Sequence, residues 1–196
     1  MTIPIKAMTV IEFDKWVLLP ENSDKSYEYI GGELAEVVLN NYSSLVAARI
    51  LYFITHYIMV NKIKGYVTGA DGGYIVAGER YIPDVAYISA EQQADPSHDA
   101  YNPNPPDLAV EVVSPSDSER NLAIKVANYL SAGTIVWVIY PERKELNICA
   151  PQEAVKTLSE DDVILHFQGK VARFKVPARV VFTDELPRNA RRVHAG

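Results

Sequence analysis

A chain of 196 residues with 48% apolar side chains is long enough for one domain with a substantial core, and its single cysteine, Cys149, excludes an intramolecular disulfide or a zinc site built on several thiolates. A formal net charge of -6 argues against a protein that coats nucleic acid by bulk charge, but not against an enzyme that holds phosphates locally. No run of about 18 apolar residues and no secretory leader is read, so a cytoplasmic protein without a membrane span is expected.

In chain order, Thr9-Val10-Ile11-Glu12 fits a capping box and starts a short helix that should end before Pro20. Alternating runs at 26–30 and 33–38 flank Gly31-Gly32 and read as a hairpin. Residues 43–61 carry the longest helical pattern, with Ala47, Ile50, Leu51, Ile54 and Ile58 on one stripe and Ser43 or Ser44 as cap. From Gly65 the period changes to two. Strands are expected at 66–68 and 74–76, and a single strand at 81–89 with Pro83 near its start. Residues 90–106 hold four prolines and no period, and read as a mobile loop, a candidate lid.

Then comes Pro106-Asp107-Leu108-Ala109-Val110-Glu111-Val112-Val113-Ser114-Pro115. Its middle is apolar on both faces, as in a strand covered on both sides, except for Glu111. An ionised carboxylate in such a place costs several kcal/mol, of order ~5, unless it is paired or bound to a cation. Ser116-Asp117-Ser118-Glu119 offers a second capping box, and Gly133 a helix stop; between them Leu122, Lys125, Val126 and Tyr129 share a stripe. A further apolar strand at 134–140 completes a βαβ unit with a parallel pair. Residues 145–149, 163–167 and 171–176 read as a small β region, and 188–196 as a loose basic tail. The class is α/β with a mixed sheet, and the whole chain, 1–196, is expected to form one domain with its core at about 42–150.

Three residues are candidates for one site. Asp84 begins one core strand, Glu111 lies in the next, and Lys125 faces inward from the helix behind them. If the strands are neighbours, the two carboxylates come within reach of one hard cation, and a lysine beside them would balance charge or orient water. The competing reading of Glu111 is a buried ion pair with Lys125 and no metal. The four histidines, His56, His98, His166 and His194, show no ligand spacing.

Several blocks carry a resemblance: Tyr27-Glu28-Tyr29-Ile30-Gly31-Gly32-Glu33-Leu34, Ile82-Pro83-Asp84-Val85-Ala86, the stretch from Pro106 to Asp117, Lys125 with Tyr129-Leu130-Ser131-Ala132-Gly133, and Val136-Trp137-Val138-Ile139-Tyr140-Pro141. In this order they resemble the Uma2 family, the former domain of unknown function 820, within the PD-(D/E)XK nuclease superfamily, over residues 8–186. The resemblance implies a restriction-endonuclease-like αβββαβ core with a mixed central sheet, preceded by the N-terminal helix and hairpin and followed by a small β extension. It implies Asp84 and Glu111 as ligands of Mg2+, with Mn2+ as a substitute and the backbone carbonyl of Val112 as a further ligand. The superfamily's usual lysine stands two residues after the acid; Val113 occupies that position here, and the resemblance points to Lys125 as the replacement. Glu28 or Glu33 could add another carboxylate.

The expected function is therefore a Mg2+-dependent endonuclease acting on nucleic acid, DNA first, with Asp84, Glu111 and Lys125 as its catalytic residues. The alternative is a degenerate nuclease fold that serves as a nucleic-acid-binding or assembly module. A homodimer is the expected solution state, with the β tail as contact.

Overall fold

The computed structural model describes residues 4–38 and 40–159. The chain begins with β1 (Pro4–Ala7), α1 (Val10–Trp16), β2 (Tyr27–Ile30) and β3 (Glu33–Glu36), followed by α2 (Asn41–Val60). Next come β4 (Gly65–Gly69), β5 (Gly73–Val76), β6 (Glu79–Tyr81), β7 (Val85–Ser89), β8 (Tyr101–Asn102) and β9 (Leu108–Val112). The chain then forms α3 (Glu119–Ser131), β10 (Ile135–Tyr140), β11 (Glu145–Cys149) and β12 (Lys156–Ser159). The strands pair into two sheets, ordered β1-β3-β2-β6-β5-β8 and β12-β11-β10-β9-β7-β4. The expected αβββαβ core is α2-β4-β7-β9-α3-β10, with β9 parallel to β10 and β7 antiparallel to both β4 and β9.

The local signals that build these elements are short-range ones. Thr9 and Glu12 close the expected capping box on α1. Gly31 and Gly32 both take positive φ, at 59° and 84°, which is the backbone a two-residue hairpin turn needs. Helix α2 is capped by Asn40, whose side chain accepts from the Ser43 amide, rather than by Ser43 or Ser44. Asn40 wins because it stands just outside the first turn, with extended backbone. On α3 the cap is Ser118, accepting from the Asn121 amide; with Asn at that position there is no reciprocal box. Gly133 ends α3 at φ 89°.

Packing follows from the periodicities. Ala47, Ile50, Ile54 and Ile58 of α2 meet Val85, Val110, Val112, Trp137 and Ile139 on one face of the second sheet. The opposite face, with Ala86, Ala109, Val136 and Val138, is covered by Tyr129 of α3 and by Ile30, Tyr74, Val76 and Tyr81 of the first sheet. The first sheet's far side receives Phe13 of α1 on Tyr27, Tyr29, Leu34 and Tyr101. Strand β2 therefore splits its side chains, Tyr27 and Tyr29 toward α1, Glu28 and Ile30 toward the second sheet.

Several expectations are corrected. The stretch 81–89 is two strands: Pro83 cannot donate to a ladder, so the chain leaves the first sheet at Tyr81 and enters the second at Val85. Strands β4 and β5 likewise belong to different sheets. The loop read as a lid is tied down in its middle. Tyr101 and Asn102 pair with Gly73 and Tyr74, and the Tyr101 hydroxyl donates to the Tyr27 carbonyl at 2.5 Å. Gly73 is required there, because a Cβ would meet the Tyr101 ring at 2.5 Å. Helix α2 is, by length and composition, apolar enough to cross a membrane, although no such stretch was expected; its buried stripe is spent on the second sheet. Strand β12 carries no signal that the sequence made readable. The expected strands at 163–167 and 171–176, the tail at 188–196, and the dimer contact assigned to them lie outside the described residues.

Trp137, 6% exposed, fills the α2 side of the core. Trp137→Ala is expected to cost about 3–5 kcal/mol of unfolding free energy, measured by urea denaturation, because the cavity it leaves cannot close.

Candidate active site

The acids come together through register. Strands β7 and β9 pair Val85 with Val110 and Ala86 with Ala109. Asp84 immediately precedes β7, and extending this register by one step brings it opposite Glu111, on the face that Ala86 and Ala109 turn toward α3. The crossover at Pro83 puts Asp84 at the seam between the sheets. There its Oδ2 accepts the Val112 amide at 2.7 Å. The Val112 N–H thus anchors the opposing acid.

Lys125 reaches the same place from α3. Its Nζ lies 2.8 Å from Glu111 Oε2 and 2.8 Å from Glu28 Oε1, with all three side chains buried. Glu28 comes from the first sheet, and its Oε1 also accepts the Ile82 amide at 2.7 Å. Of the two further carboxylates considered, Glu28 is in the cluster and Glu33 is not: Glu33 is turned outward, 3.4 Å from Arg120. The sequence held a signal for Glu28, since it shares with Ile30 the face of β2 that enters the core. That face becomes legible only once the first sheet is known to be covered on both sides. Val113, at the usual lysine position, packs among the apolar residues beneath α3.

The electrostatics of the cluster are those of too little positive charge. Burial pushes the Asp84 carboxyl up to about 6, with the Val112 N–H and Lys125 pulling the other way. Burial likewise raises Glu111, against the pull of Lys125 and with help from Glu28 and Asp84. Burial alone would lower Lys125, but Glu111 and Glu28 outweigh it and hold the ammonium charged. Three carboxyl groups, Glu28, Asp84 and Glu111, thus surround a single ammonium. Glu111 Oε1 is buried with no hydrogen-bond partner. An acceptor left bare in an acid-rich cluster fits a cation, and a pair of carboxylates with open positions suits Mg2+ or Mn2+. Asp84 and Glu111 are the residues that could hold it. As they stand, no three of the described His, Cys, Asp or Glu side chains converge on one point, because Glu28 and Glu111 each turn an oxygen to Lys125.

A cleft of about 110 Å³ opens over the cluster, lined among others by Asp84, Glu111, Val112 and Lys125, with Ser43 and Ser44 of α2 and Ser118 and Asn121 of α3 at its sides. Glu28, Glu36 and Asp117 also line it, so the cleft is acidic, with hydroxyl and amide groups at its sides and Lys125 as its one basic side chain.

Comparison with known proteins follows this geometry. The family model described as "Uma2: Putative restriction endonuclease" matches residues 11–171. Among solved structures, the chain is similar to one described as a "putative nuclease belonging to DUF820 from Anabaena variabilis ATCC 29413", with a TM-score of 0.69 and 20% identity over 80% of this chain and 87% of that one. That likeness is one of fold, the restriction-endonuclease-like one. No curated protein matches the sequence.

Two predictions arise from the cluster. Lys125→Met strands two buried carboxylates, and is expected to cost about 3–5 kcal/mol near neutral pH; combining it with Glu28→Gln and Glu111→Gln should recover most of the loss in urea melts. Asp84 binds its proton more tightly folded, up to about 6, than at its ordinary 3.8. Between those values the folded state holds the extra proton, so stability falls as pH rises through this window. In chelator, wild type should lose about 2–3 kcal/mol relative to Asp84→Asn between pH ~4 and pH ~7.

Proposed function

Because this chain belongs to the Uma2 family, we propose that it is a divalent-metal-dependent nuclease that cleaves phosphodiester bonds, with DNA as its substrate and Mg2+ as its metal. The observation that carries the reading is the Asp84–Glu111 pair, set face to face across β7 and β9 with one oxygen of Glu111 left bare beneath an open cleft. A cation held by Asp84 and Glu111, with the Val112 carbonyl as a further donor, would supply charge for the phosphoryl oxygens and acidify water for attack.

The chain's own residues do the rest. Lys125 holds Glu28 and Glu111 in place, with two of its three hydrogens already committed. Its remaining hydrogen is the one available to the attacking water or to the phosphate. The Val112 amide fixes the Asp84 carboxylate, so one Asp84 oxygen is held while the other is free to face the cleft. Ser43, Ser44, Ser118 and Asn121 offer neutral donors to the backbone of the substrate, in keeping with an acidic chain that has no basic wall here.

The test is cleavage of plasmid and single-stranded DNA with Mg2+ or Mn2+. Glu111→Ala is expected to lower the rate about 100-fold or more, and chelator to abolish cleavage. Cleavage that survives Glu111→Ala unchanged removes the site. The second reading, a degenerate nuclease fold acting as a binding or assembly module, is favoured by the ion pairs that already occupy Glu28 and Glu111. It would show as Mn2+-independent DNA binding without cleavage.

A further inference from the structure

Tyr129 stands one helical turn beyond Lys125 on the same face of α3, so the two reach the same region of the core. Its side chain is fully buried, and its ring is tilted against Tyr81 with centroids 5.4 Å apart. Yet its hydroxyl has no hydrogen-bond partner. Among the described residues, the only other buried side-chain polar atom in that condition is Glu111 Oε1. A buried hydroxyl without a partner is destabilising, and a bare carboxylate oxygen more so. Here a donor without an acceptor and an acceptor without a donor occur in one neighbourhood. Burial raises the phenol's pKa first, and the neighbouring Glu111 carboxylate raises it further, although the two make no ordinary hydrogen bond. Tyr81 does not compete for the phenol, because its own hydroxyl is engaged by Glu79 and Asn128.

We propose that Tyr129 is a positioning residue for the metal site: its hydroxyl donates to Glu111 Oε1 when a cation is bound and fixes the rotation of that carboxylate. Lys125 grips Oε2 from one side and Tyr129 steadies Oε1 from the other, so the carboxylate presents its remaining lone pairs in the direction of Asp84. The inference rests on the metal reading of the cleft, and it adds a residue whose aromatic body would otherwise pass for core filling.

The test uses the full chain with Tyr129→Phe, and Mn2+ alone as probe. In chelator, Tyr129→Phe should melt at or above the wild-type temperature, because it deletes an unsatisfied hydroxyl while keeping the ring. In calorimetry it should bind Mn2+ about tenfold more weakly. Tyr81→Phe serves as the control for a purely structural tyrosine: it should melt lower in chelator and keep wild-type Mn2+ affinity. If Tyr129→Phe binds Mn2+ as tightly as wild type, or loses affinity only in step with a lowered melting temperature, the positioning role is overturned. If the wild type binds no Mn2+, the metal reading fails first and this inference falls with it; the two failures are told apart by the wild-type titration.

Discussion

The ammonium of Lys125, held at 2.8 Å from both Glu28 and Glu111, is the contact on which the arrangement depends. It joins three pieces of the fold: the first sheet through Glu28, the second through Glu111, and α3 through itself. Desolvating three ionised groups is expensive, and a buried ionic cluster of this kind is poor value as a stabiliser when a hydrophobic one would serve. Its retention in an otherwise apolar seam therefore speaks for a chemical use. So does the imbalance of charge, since a purely structural pair would match one acid to one base, whereas here Glu28, Glu111 and Asp84 surround a single lysine.

Much of this was legible in the residues. The apolar run from Leu108 to Val112 could only be a strand covered on both sides, and Glu111 within it announced a partner. Lys125 fell on the inner stripe of α3 by spacing alone, and 3.6-residue periodicity placed the α2 stripe correctly. What was not legible were relations between distant segments. The period of two runs through 81–89 without a break, so nothing local says that the strand changes sheets at Pro83. Glu28 alternates properly in a hairpin that could have had a solvated face, and only the docking of α3 and the second sheet buries it. The tie of Tyr101 to the Tyr27 carbonyl joins residues 74 positions apart, beyond the reach of any window along the chain.

The same division explains the two different kinds of contact made by Asp84 and Glu111. Asp84 is fixed by backbone, through the Val112 amide of the neighbouring strand, so its position follows from sheet register. Glu111 is fixed by side chains alone, Lys125 above all. One acid is thus placed by sheet register and the other by the docking of α3.

Finally, the Glu28–Lys125 bond closes a loop of 97 residues. Helices and the β2–β3 hairpin can form from near neighbours, but this bond must wait until almost the whole core has been threaded together, since closure entropy is repaid last for the most distant partners. A chain still emerging from synthesis, or one only partly collapsed, would thus carry every acid of the cluster and none of its geometry. Competence for chemistry would arrive with the final docking of the sheets, making the cleft a reporter on completed folding.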